Sequence, residues 1–404
     1  MISPEKVEEW IKEVNERPES AALIVQFIAN RLRDLSARNE ALVEENIALM
    51  TGKRVEEYEG RIAHLEYQLE LLKRQVSEGG AVGAAPAVRR APGEAPNLLV
   101  FHSGGRVLRV EAGLEAQPQG GLLGRVDGLQ VTGAEPPRLA VARAADELLF
   151  VFSSGRVAAL PVSAITPARP VKGQGEGVWD WTQAPQPEAP RAGETLACIA
   201  PISRIALAEN LLQVSRRGYA KKIRAAMTQS ILANHYIGTG IKLTADRAFA
   251  LCLQTKEERL TLVSWEGYLL SLEVRSLAHS VEEAMRLAPT DHLAAAFVCP
   301  AQAQVLAMTQ IGKAVVVSAE ALQQPGGLRT RGQAVFSQQR RSKGVRLVGA
   351  AALRDGEWAA GLHQDGSLGL YPLQALLDSG SLEVQGELLA FEAFPVQGGE
   401  KQAG

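Results

Sequence analysis

The residues of this 404-residue sequence most able to do chemistry are basic side chains that gather around a few glycine turns. Cations at this density can neutralise phosphates and release the counterions condensed on a nucleic acid. The pattern predicts a DNA-binding surface, although each cluster alone could be a solvated hairpin with no ligand. The candidate residues are Arg106, Arg109, Arg156, Arg216, Arg217, Lys221, Lys222, Arg224, Arg340, Arg341, Lys343 and Arg346.

The sequence carries no motif for catalysis, cofactor binding or metal binding. Gly-x-Ser-x-Gly, His-Glu-x-x-His and phosphate-loop patterns are absent, and the six histidines show no ligand spacing. Cys198, Cys252 and Cys299 lie far apart among apolar neighbours, which is typical of buried thiols in a reducing compartment. We therefore expect a protein that is not an enzyme and has no cofactor and no metal.

Charge and the first residues bear on the location of the protein. The net charge is −2, made of −5 over residues 1–78 (11 Lys/Arg against 16 Asp/Glu) and +3 over the remainder (32 against 29). A nucleic-acid site must therefore be a local patch. The N-terminus has no signal-peptide pattern, and its longest apolar stretch, residues 21–29, is too short to cross a bilayer. We expect a cytoplasmic protein with no membrane partner.

Residues 1–78 are predicted to form a helical stalk. Ser3 and Pro4 favour a helix start, Pro18 ends that first helix, and a heptad pattern follows. Its seam would dimerise the chain, since asparagine at position a with leucine at position d favours a parallel two-stranded coiled coil. An intramolecular hairpin folded at Gly52, where the heptad register breaks, is the alternative. The dimerisation residues are Ile28, Leu32, Leu35, Asn39, Leu42, Asn46 and Leu49.

Beyond a Gly/Ala/Pro-rich linker at residues 79–96, one unit repeats six times over residues 97–395. Each copy is an apolar run, a polar turn ending in glycine and a second apolar run, which predicts a β-hairpin whose glycine supplies a positive φ. A period near 50 residues has the size of a propeller blade. The sequence therefore predicts a mainly β, six-bladed propeller and a disordered tail at residues 396–404. The repeat glycines are Gly105, Gly155, Gly218, Gly267, Gly312 and Gly366.

The repeat resembles that of the C-terminal domain of DNA gyrase and topoisomerase IV A subunits. The resemblance is carried by an apolar strand, Ser/Thr-x-x-Gly-x-x-Lys/Arg, a second apolar strand and a Gly-Ile/Val-Lys-x-Leu-like segment, and it is clearest at residues 214–253. It implies a six-bladed β-pinwheel, in which neighbouring blades exchange a strand. It also implies a basic outer rim that binds and bends DNA.

The sequence also departs from that family. A coil and a linker precede the repeats in place of the strand-breaking domain and its catalytic tyrosine, so we expect no topoisomerase activity within this chain. The family's Gln-Arg-Arg-Gly-Gly-Lys-Gly box has only a shorter counterpart at residues 339–344, which lacks the internal glycines and is interpreted as an ordinary blade loop.

The leading hypothesis is a non-catalytic pinwheel that binds duplex DNA non-specifically, is dimerised by its stalk and associates with the nucleoid. The alternative is a scaffold propeller that binds a topoisomerase or another protein and no DNA.

Overall fold

The computed structural model describes residues 4–50, 96–112, 120–129, 136–171, 177–202, 205–244, 246–255, 258–323, 327–353, 358–384 and 386–394. The chain divides into two compact units, Met1–Ala87 and Val88–Gly404. The predicted break near residue 52, nearly all of the linker and the predicted tail lie outside the described residues.

The N-terminal unit consists, over its described residues, of two helices. Helix α1 (Pro4–Glu16) and helix α2 (Ala21–Met50) are joined by a short 3₁₀ turn that begins at Pro18. Trp10 of α1 packs edge-to-face on Phe27 of α2, with 5.6 Å between ring centroids. Within the described chain, no helix combines the length and apolar character needed to cross a bilayer.

Four of the five predicted seam positions of helix α2 whose side chains the structure describes are exposed, and Leu42, Asn46 and Leu49 lie outside the described side chains. Val25, Leu32 and Leu35 are 64%, 61% and 53% exposed. Asn39 is exposed too, and Ile28 is half-buried. Helix α1 contacts helix α2 through Trp10 and Phe27, and Phe27, which is 55% exposed, is not a seam position.

The C-terminal unit is mainly β. Its helices are α3 (Thr228–Asn234), α4 (Gln338–Ser342) and α5 (Leu373–Ser379). Its strands are β1 (Pro96–Phe101), β2 (Val107–Glu111), β3 (Gly121–Asp127), β4 (Arg138–Arg143), β5 (Glu147–Phe152), β6 (Val157–Pro161), β7 (Val178–Asp180), β8 (Leu196–Pro201), β9 (Asn210–Ser215), β10 (Tyr219–Arg224), β11 (Ala248–Gln254), β12 (Glu258–Ser264), β13 (Tyr268–Glu273), β14 (Glu282–Glu283), β15 (Leu293–Pro300), β16 (Gln304–Thr309), β17 (Ala314–Ser318), β18 (Gln333–Ala334), β19 (Leu347–Ala352), β20 (Trp358–His363), β21 (Ser367–Pro372) and β22 (Leu388–Phe394).

These strands form six sheets, and each sheet contains one of the hairpins predicted from the glycine repeat. The hairpins are β1–β2, β5–β6, β9–β10, β12–β13, β16–β17 and β20–β21. We number the sheets one to six in that order. In each sheet a third strand pairs antiparallel with the first strand of the hairpin; these are β4, β8, β11, β15, β19 and β22.

Chain segments cross from each sheet to the one before it. After hairpin β12–β13, strand β14 returns to pair with β10 of sheet three, and β18 likewise returns to β13 of sheet four. Strand β3, which follows the first hairpin, pairs with β21 of sheet six. Isolated bridges make the same crossing elsewhere, as between Tyr236 and Arg156 or Ser381 and Lys313.

The repeat glycines lie where these crossing segments meet the hairpin turns. Gly155 has φ +86°, and its carbonyl accepts a hydrogen bond from the N–H of Ile237 at 2.9 Å. A Cβ atom on Gly155 would lie 2.5 Å from the carbonyl carbon of Gly238. The glycine therefore serves two purposes, the left-handed turn and the close approach of the next repeat's backbone.

The sheets follow one another in a closed circle. The third strands of successive sheets lie side by side, and β22 of sheet six lies against β4 of sheet one. Six hydrophobic clusters fill the spaces between neighbouring sheets. One of them joins Leu98 and Val100 of sheet one to Leu362 of sheet six. A cavity of about 310 Å³ lies at the centre, where the third strands begin, and all six sheets line it.

Candidate nucleic-acid interface

The five cations of the third hairpin take different positions. Arg216 is half-buried and lines the central cavity. Arg217 donates to the carbonyl oxygens of Ala288 (3.0 Å) and Pro289 (3.1 Å), in the segment that follows β14. Arg224, at the end of β10, is exposed.

Both lysines of this hairpin also reach backbone carbonyls. Lys221 donates to Ile237 at 3.1 Å, and burial lowers the pKa of its ammonium group. Lys222 donates to Arg275 at 3.2 Å, in the 3₁₀ turn after β13. Apart from Arg224, the predicted cluster is therefore engaged with the protein itself.

The arginines of the first two hairpins are also held by protein groups. Arg109 is 6% exposed and donates to the Asn97 side chain at 2.7 Å and to the carbonyls of Val162 and Ile165. Arg106 donates to the carbonyl of Thr182 at 2.5 Å.

Arg156 forms a buried ion pair with Glu194 at 3.0 Å, in which its own side chain is only 12% exposed. Burial alone would raise the pKa of Glu194. Hydrogen bonds from Ser154, Arg156 and the backbone N–H of Arg191 outweigh this effect and lower that pKa to about 2. The guanidinium of Arg156 is therefore engaged in holding the fold together.

The segment at residues 338–346 is arranged differently. It is the short helix α4, capped by the side chain of Ser337, and not the plain loop expected from the sequence. Arg340 and Lys343 are exposed. Arg341 lies over the Tyr268 ring at 4.9 Å, and Arg346 over the Trp265 ring at 4.6 Å.

Three further arginines, which were not among the candidates chosen from the sequence, lie after β14 and before β18. Arg286 and Arg329 are exposed, and the backbone N–H of Arg286 bonds the carbonyl of Thr330 at 2.9 Å. Arg331 lies over the Tyr268 ring at 4.1 Å, the same ring that Arg341 contacts. The sequence Arg-Thr-Arg at residues 329–331 is a signal of local positive charge. It was missed because it lies between the repeat hairpins and not at one of their glycine turns.

We call the group of cations that lies across sheets three to five the basic edge. The segment after β14 links its members, since it contacts Arg217 on one side and the backbone at residues 329–330 on the other. Two carboxylates interrupt it, Glu283 at 3.9 Å from Arg286 and Glu266 at 3.1 Å from Arg331. The basic edge consists of Arg217, Arg286, Arg329, Arg331, Arg340, Arg341 and Lys343.

The basic edge has the chemistry of a phosphate-binding surface. Guanidinium and ammonium groups bind phosphate oxygens, although the two arginines stacked on Tyr268 also donate to protein groups, Arg341 to the carbonyl of Phe336 at 2.8 Å and Arg331 to Glu266 at 3.1 Å. Three of its members are exposed and are not drawn into an ion pair that the structure shows: Arg329, Arg340 and Lys343.

The described residues contain no group of three or more metal-binding side chains. The three cysteines are buried, as the sequence predicted, and burial raises the pKa of Cys198 to about 11 and that of Cys252 to about 12. These thiols stay protonated at neutral pH and are poor nucleophiles.

Comparison with known proteins finds similarity in structure alone. No protein-family sequence model matches the chain, and no curated protein sequence matches it. The C-terminal domain of DNA gyrase A superposes with a TM-score of 0.54 at 12% identity, covering 74% of this chain and all of that domain. The chain thus has the fold of a gyrase A C-terminal β-pinwheel domain, as its repeat motifs suggested.

Two further structures resemble the chain more loosely. The C-terminal domain of DNA topoisomerase IV has a TM-score of 0.45 at 14% identity, covering 74% of this chain and 93% of that one. The C-terminal domain of E. coli ParC has a TM-score of 0.39 at 12% identity, covering 62% and 98%.

Proposed function

We propose that this chain is a non-catalytic DNA-binding protein, a six-bladed β-pinwheel whose basic edge contacts duplex DNA without reading its sequence. The observation that carries the proposal is the gathering of Arg329, Arg340 and Lys343 with their arginine neighbours over adjacent blades of a gyrase A C-terminal-like fold. The candidate surface contains fewer of the predicted cations than the sequence indicated, because Arg109 and Arg156 are already paired within the protein. The proposed location is the cytoplasm, at the nucleoid.

A salt titration of DNA binding tests this function. Full-length chain is titrated into a labelled random-sequence duplex, and the binding constant is followed from low to moderate salt. We expect the binding constant to fall linearly with salt on a double logarithmic plot. The triple variant Arg329→Gln, Arg340→Gln, Lys343→Gln removes three phosphate contacts and should reduce that slope by about 2 to 3.

A charge-matched control separates a local surface from general attraction. Arg125, Arg169 and Arg191 are exposed and lie on other blades. Changing these three to glutamine removes the same charge and should leave the slope within about 0.5 of the original. An equal reduction of the slope in the two variants, or no DNA binding at low salt, would refute the basic edge as a DNA site.

We also propose that two copies pair through helix α2 as a parallel coiled coil. The exposed Val25, Leu32 and Leu35 support this, because a solvent-facing apolar stripe at heptad spacing is stabilised by a second helix. Pairing would tether two weak DNA sites and raise their combined affinity. Light scattering of the full chain should give twice the monomer mass, and Leu32→Asp with Leu35→Asp should give the monomer mass. A monomeric wild type would favour the intramolecular hairpin.

The second candidate is a scaffold that binds another protein, such as a topoisomerase, and no DNA. The observation that favours it is the engagement of most predicted cations with backbone carbonyls and carboxylates. The same titration separates the two functions, because a scaffold without a DNA site shows no salt-dependent binding to the duplex.

A further inference from the structure

Sheet six carries a histidine that is buried on the side facing sheet five. His363, the last residue of β20, is fully buried. Alternation along the strand puts it on the same face as Ala359, which packs with Leu306 and Met308 of β16 in the hydrophobic cluster between sheets five and six. A side chain that can take up a proton near neutral pH therefore lies beside an apolar interface between two sheets.

One nitrogen of this imidazole ring has a partner and the other has none. Nε2 lies 3.1 Å from the Tyr371 hydroxyl, whereas Nδ1 has no hydrogen-bond partner among the described residues. Burial raises the pKa of Tyr371 to about 12, so the hydroxyl stays protonated and can satisfy one nitrogen of a neutral imidazole. An imidazolium carries two N–H donors, and the donor on Nδ1 would be buried without an acceptor.

The tyrosine ring lies over two glycines of the same sheet. Gly361 of β20 and Gly369 of β21 are opposite each other in the register of the hairpin. A Cβ atom on Gly369 would collide with the Tyr371 hydroxyl, and one on Gly361 would lie 3.4 Å from the Tyr371 ring. The ring therefore occupies space that side chains at these two positions would fill, and His363 and Tyr371 are packed as a pair.

Little negative charge lies where it could stabilise a proton on His363. Burial lowers the pKa of His363, and the negative charge of Asp365 opposes that shift. The Asp365 carboxylate already accepts hydrogen bonds from the backbone N–H of Ser367 at 3.0 Å and from its hydroxyl at 2.9 Å. In the described chain, no other charged side chain on the strands, helix and crossing segments around His363 is hydrogen-bonded to it; these side chains are Arg125, Asp127, Lys313, Asp378, Glu383, Glu387 and Glu392.

The same repeat position carries a hydroxyl group in three other sheets. Three residues before the repeat glycine stand Ser215, Ser264 and Thr309, in sheets three to five. Each of these hydroxyl groups accepts a hydrogen bond from the backbone N–H four residues later, at 2.8–3.1 Å. Serine and threonine hydroxyls do not change charge near neutral pH, whereas histidine does. Sheet six therefore has a titratable group where three other sheets have a neutral one.

From this geometry we propose that His363 is an acid-sensitive switch in the ring, because uptake of a proton drives its imidazole out of the junction between sheets five and six. Strand β20 pairs with β21, and β21 pairs with β3, which follows the first hairpin and joins sheet six to sheet one. Acid therefore loosens sheet six first, and with it the closure of the ring. The proposal is independent of DNA binding, since no residue of the basic edge takes part.

Acid should weaken the folded state through this residue. The pKa of His363 is lowered from its usual 6.5, so the unfolded chain binds more protons than the folded protein does. The stability that the neutral imidazole preserves is therefore present above about pH 6.5 and is lost as the pH falls towards the folded-state pKa. A histidine that stays neutral in the folded protein raises the unfolding equilibrium constant about tenfold between pH 7.5 and pH 5.5.

Urea denaturation of the full-length chain at pH 7.5 and pH 5.5 tests the switch. His363→Ser introduces the residue that sheets three and four carry at this position. Between the two pH values, the unfolding equilibrium constant of the wild type should rise by up to about tenfold more than that of His363→Ser. The exposed His279 provides the control, since His279→Gln should respond to acid as the wild type does. An equal response of the wild type and His363→Ser would overturn the proposal.

Hydrogen exchange of the wild type decides the matter should His363→Ser prove unfolded by circular dichroism. Amide exchange, corrected for the intrinsic effect of pH, should be faster at pH 5.5 than at pH 7.5 in β20, β21 and β3, and less changed in the hairpins of sheets two to four. Acid-enhanced exchange that is spread evenly over the six hairpins, or that spares sheet six, would contradict the switch.

Discussion

Two arginines of sheets one and two, Arg109 and Arg156, are held differently from Arg340 and Lys343, which lie between β18 of sheet four and β19 of sheet five. On the first pair of sheets, Arg109 and Arg156 are buried and satisfied by side-chain oxygens, carboxylates and carbonyls. On the second pair, Arg340 and Lys343 are exposed. Even equivalent repeat positions diverge, since Arg156 follows its repeat glycine and is buried, whereas Lys313 follows its own and is exposed. A basic residue at a repeated position can thus stabilise the fold or face a ligand, and only its partners distinguish the two.

The largest effect we expect comes from a pair of glycines that share a backbone conformation but not an environment. Gly155 in sheet two has φ +86°, and Gly344 in sheet five has φ +83°. A Cβ on Gly155 would lie 2.5 Å from backbone, whereas one on Gly344 meets nothing within 4 Å. Gly155→Ala should lower the free energy of unfolding by about 3 kcal/mol, because left-handed strain and a backbone clash add.

Gly344→Ala is the matched control, with an expected loss of about 1 kcal/mol from the left-handed φ alone. Urea denaturation of the two variants measures the difference. Equal losses would show that the crossing segment does not press against the hairpin turn.

A smaller effect should separate the buried arginine from the exposed one. Arg109→Gln removes the guanidinium that Asn97, Val162 and Ile165 share, and leaves buried oxygens without donors. We expect a loss of about 2 kcal/mol in unfolding free energy. Arg340→Gln should change it by less than about 0.5 kcal/mol while weakening DNA binding. If Arg109→Gln kept full stability and lost DNA affinity, the distinction between the two pairs of sheets would fail.

The smallest effect concerns the Arg156–Glu194 pair in acid. Because the folded-state pKa of Glu194 is about 2 and its usual value is 4.5, its ionised form contributes stability above about pH 4.5. That contribution is lost as the pH falls towards 2. Wild type should therefore lose more stability between pH 6 and pH 3 than Glu194→Gln does, as measured by urea midpoints at both values. Parallel losses would show that the pair contributes nothing to stability.

The sequence allowed the hairpins to be predicted because their signal is local. Glycine at a turn between two apolar runs has one favourable conformation, and six copies made the pattern firm. The sequence did not reveal where the crossing strands pair. Strands β14 and β18 are two residues long, and β3 finds its partner at the other end of the domain.

The site was harder to predict than the fold. The sequence showed that Arg216 and Arg217 are adjacent positive charges. In the structure, Arg216 lines the central cavity and Arg217 donates to backbone carbonyl oxygens. A residue able to carry charge stands at the start of one third strand, Arg138 of β4, and immediately before two others, Arg247 before β11 and His292 before β15. That regularity could have pointed to the cavity. It is diluted by the spacing between hairpin and third strand, which differs from copy to copy.

The pairing of β3 with β21 has a consequence for how the domain is made. Strand β3 lies near the beginning of the unit, whereas its partner β21 is among the last strands to be synthesised. Until then the nascent chain presents an unpaired strand edge, which is prone to associate with other chains. Premature termination within the last repeat should thus do more than delete one sheet, because it leaves β3 with β7 as its one remaining described strand partner. Such shortened products should be marked by aggregation and rapid proteolysis rather than by a smaller folded core.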